Sequence, residues 1–289
     1  MSDNDRLYRF IIENTRVRGE LVRLNATWQA ILERADYPPN VRNILGEAMA
    51  ACTLLAATIK FQGSLIMQIR GDGPLHLLVA QASSQRTLRG IARWNDDVPD
   101  HDLQAIFGNA QMVVTMEPEE GDAYQGIIEL KGDSLKEAIE HYFMQSEQLN
   151  TALWLACDDE VCAGFLLQEL PGADLPEEDW NHARILADTL SQNELLELDA
   201  KQILLRLYHE DDVRLFDPEP ISFRCGCSRE RIGQVLVSLG HQEVQDILQE
   251  QGKIEVDCEF CNAHYEFDPV DAEALFATSN PPDVPSTKH

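Results

Sequence analysis

The chain has 289 residues, with 50 Asp plus Glu against 23 Lys plus Arg and a net charge of −27 at pH 7. That balance argues against DNA or RNA as a partner, because phosphate binding needs a compensating basic surface. The longest apolar run, Ala48 to Ile59, is too short to span a bilayer and no N-terminal stretch reads as a signal peptide, so a soluble, cytoplasmic protein with no membrane partner is expected. Seven cysteines in such a chain point to reduced thiols and metal ligation rather than a disulfide framework.

In chain order, Leu7 to Leu24 reads as two strands around a break at Asn14-Thr15. From Pro39 to Lys60, the spacing of Leu45, Ala48, Cys52, Leu55, Ala56 and Ile59 marks one face of a helix, with Cys52 as a buried small hydrophobe. Strands are expected next at Ser64–Arg70, Leu75–Gln81, Thr87–Trp94, Gln111–Met116 and Tyr124–Leu130. Gly71-Asp-Gly73-Pro74 reads as a hairpin turn and not a phosphate loop, since a strand comes after it. A helix is expected over Leu135 to Gln148, then strands at Ala152–Cys157 and Val161–Glu169. Cys157 and Cys162 would face each other across that hairpin, where the acids of the turn argue against a low-pKa thiol.

Gly132-Asp-Ser134-Leu135 looks like a hydrolase nucleophile block, and Asp179 with His182 has the spacing of a base pair. Ser134, however, opens an apolar-periodic helix with Glu137 three residues on, which is a capping box. No Gly-x-Ser-x-Gly elbow or His-Glu-x-x-His helix occurs, so the chain is not expected to be an enzyme.

From Leu170 the composition turns acidic, with Pro171-Gly172 and Pro176 as punctuation. Trp180, Ala183, Ala187 and Leu190 share one helical face, as do Ile203, Leu204, Leu207 and Tyr208. Asp174 to Pro220 carries 13 acids against 4 bases, and Asp217-Pro-Glu-Pro220 separates it from a cysteine-containing C-terminal part. The fold expected is α+β in three parts: residues 1–173, a helical connector 174–220, and a small cysteine module 221–289 with a disordered tail from Ser279.

The module carries the most specific signal: Cys225-Gly-Cys227, thirty residues, then Cys258-Glu-Phe-Cys261. Two such pairs make a zinc-site signature. Four thiolates leave no position for a catalytic water, so the metal is structural or redox-responsive. Most such sites are inert staples, but the single residue between Cys225 and Cys227 brings their sulfurs close enough for a switch, and spacing leaves both readings open. His264 is a competing ligand on paper and a hairpin histidine on balance. Around the cysteines, Ile232, Val235, Leu236 and Leu239 suggest one helix, Glu243–Gln251 a second, and Lys253–Asp257 with His264–Phe267 a hairpin.

Arg224-Cys-Gly-Cys-Ser-Arg-Glu-Arg231 and Arg206-Leu-Tyr-His-Glu210 resemble the redox-regulated 33-kDa chaperonins, the heat-shock protein 33 family. So do Val17-Arg-Gly-Glu-Leu21, Gly71-Asp-Gly-Pro74, Tyr124-Gln-Gly126 and His141–Leu149, and the resemblance spans essentially the whole chain. It implies an ATP-independent holdase, inactive when reduced with one zinc per chain on Cys225, Cys227, Cys258 and Cys261. Oxidation would form the disulfides Cys225–Cys227 and Cys258–Cys261 and expel the metal. The implied partners are unfolding client proteins, a second copy in an oxidised homodimer, and ATP-dependent foldases downstream. The apolar stripes of the connector, with Trp180, Leu190, Ile203, Leu204, Leu207 and Tyr208, would become available to clients. Cys52, Cys157 and Cys162 have no role in that pattern. The alternative is a constitutive zinc-stapled interaction module.

Overall fold

A 20-residue helix, Pro39–Thr58, is apolar on every side: Ala48, Met49, Ala50, Ala51 and Cys52 are consecutive and have no exposed surface. A helix hydrophobic all round has to be covered all round. The computed structural model of the chain describes residues 4–59, 62–95, 97–100, 102–130, 132–170 and 177–279. They form two compact units, Met1–Arg224 and Cys225–His289.

In the first unit the elements run β1 (Arg6–Ile12), β2 (Val17–Leu24), α1 (Ala26–Leu32), α2 (Pro39–Thr58), β3 (Gly63–Arg70), β4 (Leu75–Ser83), β5 (Thr87–Trp94), α3 (Leu103–Phe107), β6 (Gln111–Pro118), β7 (Tyr124–Glu129), α4 (Leu135–Tyr142), β8 (Thr151–Cys157) and β9 (Cys162–Glu169). Then come α5 (Glu177–Ala187), α6 (Gln192–Glu197), α7 (Ala200–Tyr208), β10 (Val213–Leu215), β11 (Glu219–Pro220) and β12 (Ser222–Phe223). The second unit holds α8 (Arg229–Leu239), α9 (His241–Gln251), β13 (Ile254–Asp257), β14 (His264–Phe267) and α10 (Pro269–Ser279).

Two sheets enclose α2. One has the order β10-β1-β2-β9-β8, with β11 also paired to β1; the other runs β12-β5-β4-β3-β6-β7. One core fills the space between them, from Leu7, Val22, Leu24, Leu153 and Leu166 of the first sheet through α2 to Leu65, Met67, Ile69 and Leu78 of the second. The helix approaches β9 and the β8 end closely enough to require glycine: a Cβ on Gly46 would lie 2.1 Å from Cys157 Sγ, and one on Gly164 2.7 Å from Leu54 Cδ1. The first sheet is covered on its other face as well. Phe10, Leu21, Trp154 and Phe165 pack there against α5, α6 and α7. Burial on both faces explains why β8 and β9 read as near-continuous apolar runs. The second sheet shows alternation instead, as in β7, because one face meets water.

The expected strand and helix positions hold with small shifts. The helix from Leu135 is regular only to Tyr142 and continues as a π-helical turn over Phe143–Glu147. Ser134 caps it, accepting from the Glu137 amide at 3.4 Å, while the Glu137 carboxylate accepts from Asp133 N. Asp217–Pro220 is more than a separator, since Glu219 and Pro220 pair with Leu7 and Arg6 of β1. Pro171, Gly172, Pro176 and the tail beyond Ser279 lie outside the described residues.

A polar layer lies on the inner side of the first sheet. Gln168 accepts from Arg18 and donates to Thr151 Oγ1 at 2.9 Å. Glu20 is 2 % exposed, with one carboxylate oxygen unpartnered. Burial raises its pKa to about 7, against the opposing pull of Arg18, Arg9 and Arg86. A carboxyl whose folded pKa lies above its unfolded value stabilises the fold fully below the unfolded pKa of 4.5 and loses that contribution as pH rises to about 7. Glu20→Gln should therefore melt at a higher temperature than the wild type at pH 8 and at nearly the same temperature at pH 5. Calorimetry at the two values checks this, and a gap that widens toward pH 5 would contradict it.

Candidate metal centre

The second unit has a buried apolar core of six residues: Leu236, Val244, Leu248, Ile254, Phe267 and Ala272. Such a core rarely holds a fold of this size without a staple. Helix α8 leaves Val235 and Leu239 more than half exposed, so only Leu236 of the expected stripe is fully covered.

Cys225 and Cys227 come immediately before α8, whose N-cap is Ser228, with its hydroxyl accepting from Arg231 N. The Arg231 guanidinium donates to Gly226 O at 2.8 Å and so fixes the turn between the two thiols. Cys258 and Cys261 occupy the loop joining β13 to β14. There the amides of Cys261 and Asn262 both donate to Cys258 O and Cys258 N donates to Ala263 O. Asn262 takes the left-handed conformation that closes the knuckle, with φ of 57°.

The four sulfurs lie within 4.8 Å of one another, Cys225 to Cys258 at 3.6 Å and Cys227 to Cys261 at 3.3 Å. In a tetrahedron with bonds of about 2.3 Å the sulfurs are ~3.8 Å apart, so the quartet fits a zinc ion with little rearrangement.

Two residues hold the halves of the site together. Arg229 donates to Glu266 O and to the Asp271 carboxylate, both at 2.6 Å, and lies over the Phe267 ring at 4.2 Å. Tyr265 on β14 donates its hydroxyl to Cys227 Sγ at 3.1 Å. Burial acts to raise the Cys227 pKa, but hydrogen bonds from Tyr265 and the neighbouring thiols bring it down to about 7. Burial pushes Cys261 up to about 12 and raises Cys258. The quartet therefore contains one readily formed thiolate, Cys227, beside Cys258 and Cys261, whose ionisation burial opposes.

Neither Tyr265 nor Arg229 emerges from the sequence as a site residue, since each acts from another element and no spacing rule connects them to the cysteines. His264 is outside the quartet, its Nδ1 2.7 Å from Asp257. It neighbours Glu255 and Glu266, which Lys253 bridges at 2.6 and 2.7 Å. In the first unit Cys52 is fully buried, its pKa pushed up to about 12 by burial. Cys157 and Cys162 do face each other across the β8–β9 hairpin, and burial raises Cys162 well above the ordinary range. His182 is 3.3 Å from Asp211, and Ser134 serves as a helix cap. Trp180, Leu190, Ile203, Leu204, Leu207 and Tyr208 are all buried against the outer face of the first sheet, where the Tyr208 hydroxyl donates to Ala183 O at 2.9 Å. No described helix is long and apolar enough to cross a membrane.

Removing the hydroxyl in Tyr265→Phe should weaken zinc binding by about tenfold, the lower end for a group that orients a metal ligand. Competition with a chromogenic chelator measures it, and unchanged affinity would show the contact to be incidental. Because protons compete with zinc for the thiolates, affinity in the same assay should fall as pH drops through 7.

Comparison with known proteins places these features in a wider group. Residues 5–268 match the family described as Hsp33 protein. The 33 kDa chaperonin of Nitrosococcus oceani is 51% identical over 289 residues, covering 100% of both chains. That of Shewanella frigidimarina is 45% identical, covering 96% of this chain and 98% of the relative. The 33 kDa chaperonin of Chromobacterium violaceum is 47% identical, over 96% of this chain and 95% of the relative. The crystal structure of the Thermotoga maritima 33 kDa chaperonin superposes with a TM-score of 0.83 at 23% identity, over 96% of this chain and 100% of that one.

Proposed function

The chain belongs to the Hsp33 family, and from that footing we propose that it is a redox-regulated, ATP-independent holdase. The observation that carries the proposal is the four-sulfur cluster within a unit whose own core is six residues. When bound, zinc supplies a closed tetrahedral shell worth about 10–16 kcal/mol of folding free energy in small modules. The protein's residues supply the switch. The four thiolates, Cys227 among them with the Tyr265 hydroxyl at 3.1 Å, are the groups a peroxide attacks. Each disulfide formed from two thiolates gives up two electrons, which with two protons from solvent reduce one hydrogen peroxide to two waters.

Once the module has lost its metal and opened, sequence neighbours are the nearest thiols, favouring the pairs Cys225–Cys227 and Cys258–Cys261. The segment 174–220 then acts as a latch. Its stripes, with Trp180, Leu190, Ile203, Leu204, Leu207 and Tyr208, leave the sheet and meet unfolding clients, while 13 acids keep the released segment in solution. On this reading the oxidised protein works in the cytoplasm as a homodimer and passes clients to ATP-dependent foldases. It uses no nucleic acid and performs no catalysis.

The test pairs zinc release with light scattering from a heat-unfolding protein, without nucleotide, before and after hydrogen peroxide. We expect about one zinc per chain released and aggregation suppressed only after oxidation. Bound zinc with the same suppression in both states would identify a constitutive zinc-stapled module instead. The latch has a separate expectation. Truncating one buried leucine costs about 2–5 kcal/mol, and a buried carboxylate costs more, so Leu204→Asp with Leu207→Asp should undock the helices and remove hydrogen-exchange protection over 200–208 in the reduced, zinc-loaded protein. Hydrogen exchange that leaves 200–208 equally protected in reduced and oxidised wild type would contradict the latch.

A further inference from the structure

Residues 213–224 pass from one sheet to the other immediately before the first metal-site cysteine. Val213, Arg214 and Leu215 pair antiparallel with Ile12, Ile11 and Phe10 of β1, and Glu219 and Pro220 with Leu7 and Arg6. Two residues later Ser222 and Phe223 pair parallel with Thr87 and Leu88 of β5. The backbone bonds continue beyond the strands: Glu13 N donates to Asp212 O, Phe216 N to Arg9 O, Ile221 N to Asp5 O, Ser222 N to Arg86 O and Arg224 N to Leu88 O. This strap is the last strand on the β1 side of one sheet and on the β5 side of the other.

The strap is fastened lightly. Its strands are three, two and two residues long, against seven in β1 and eight in β5. Pro218 and Pro220 cannot donate to a ladder, which also keeps the outer side of the strap from recruiting a further strand. One carboxylate marks the crossing between sheets: Glu219 forms ion pairs with Arg9 on β1 and with Arg86, between β4 and β5, whose Nε is 2.6 Å away. Ile221 is 5 % exposed in the core between the sheets, and Phe223 lies under the Arg34 guanidinium at 5.4 Å. The far side of the first sheet is handled differently, the Leu153 amide of β8 being taken by the Glu140 carboxylate at 2.8 Å.

We infer that the strap occupies a strand-addition site, and that its release opens the edge of β1 and the start of β5 to extended segments of unfolding polypeptide. The inference rests on the holdase reading above and says what is gripped and how. An edge strand offers a row of amides and carbonyls that any extended chain can pair with, whatever its sequence. An unfolding protein has unpaired backbone in quantity, which is the chemistry such an edge selects. Short strands and two prolines make the strap a poorer ladder than a client segment able to pair along all of β1. Cys225 follows Arg224 directly, so disorder in the metal module begins at the strap's last hydrogen bond.

Hydrogen exchange on the full-length protein tests this, with reduced and carboxymethylated lysozyme as a permanently unfolded probe. In the oxidised wild type, amides of residues 6–13 should exchange at least tenfold faster than in the reduced protein and regain protection when the probe is added. The reduced, zinc-loaded variant Glu219→Ala, which loses both ion pairs, should show faster exchange over 6–13 and hold back aggregation without oxidant. Ile221→Asp should do the same, and its retained zinc and melting transition would show that the rest of the fold survives. Probe protection confined to 200–208, with 6–13 unchanged by oxidation, would overturn the inference and leave the holdase reading intact. Protection of 6–13 that returns on oxidation without probe and rises with protein concentration would also overturn it, by assigning the edge to a second copy of the chain. Oxidised wild type that binds no probe anywhere would sink the holdase reading itself.

Discussion

Four sulfur atoms within 4.8 Å of one another are an unstable arrangement unless something positive sits among them. If ionised they repel; if protonated they place weak donors in a small space that an apolar core would fill better. A metal ion would resolve that conflict, and the about 10–16 kcal/mol that zinc contributes in small modules would exceed what the apolar contacts among the six described buried side chains leave after chain ordering. On the reading proposed above, one coordination sphere decides whether the second unit is folded. Arg229 and Tyr265 refine the arrangement by tying β14 and α10 to the turn that carries Cys225 and Cys227.

The first unit needs no such staple. Its core encloses α2 between two six-stranded sheets, and its outer layer of helices buries a second apolar face. What links it to the metal is covalent continuity through the strap, held by a few backbone bonds and Glu219 between Arg9 and Arg86. Backbone hydrogen bonds of this kind contribute about 1 kcal/mol each net, so a small change in tension or entropy at Cys225 is comparable with the energy that keeps the strap in place. A stable platform joined by a weak fastening to a four-cysteine module suits the holdase proposed above.

Much of this was legible in the sequence, for definite reasons. Ligand chemistry belongs to residue type, so two cysteine pairs pointed to a cluster able to hold a metal ion, and the structure gathers their four sulfurs within 4.8 Å. The stripe Trp180, Ala183, Ala187, Leu190 and the strands at Ala152–Cys157 and Val161–Glu169 were readable because buried elements need apolar side chains. Helix α10 was missed although its start is written plainly: Asp268 and Asp271 cap it reciprocally and Pro269 occupies the first turn. Its apolar residues hid it, since Val270 is 77 % exposed while Ala272 is buried. Strands of two and three residues, one of them ending in proline, carry no periodicity, so β10 to β12 were invisible; only the waiting edges of β1 and β5 make them strands. Tyr265 and Arg229 could not be assigned because their partners are set by the hairpin and by α10, not by neighbours in sequence.

The proposed function requires that metal coordination, and not oxidation as such, hold the second unit folded. Amide hydrogen exchange across residues 225–279, under strictly reducing conditions, measures this directly when zinc is removed by a high-affinity chelator and then restored. Protection in α8, α9 and the β13–β14 hairpin should collapse on removal and return with stoichiometric zinc, while α2 stays protected throughout. Undiminished protection of 225–279 in the zinc-free, reduced protein would contradict the dependence of this unit on its metal.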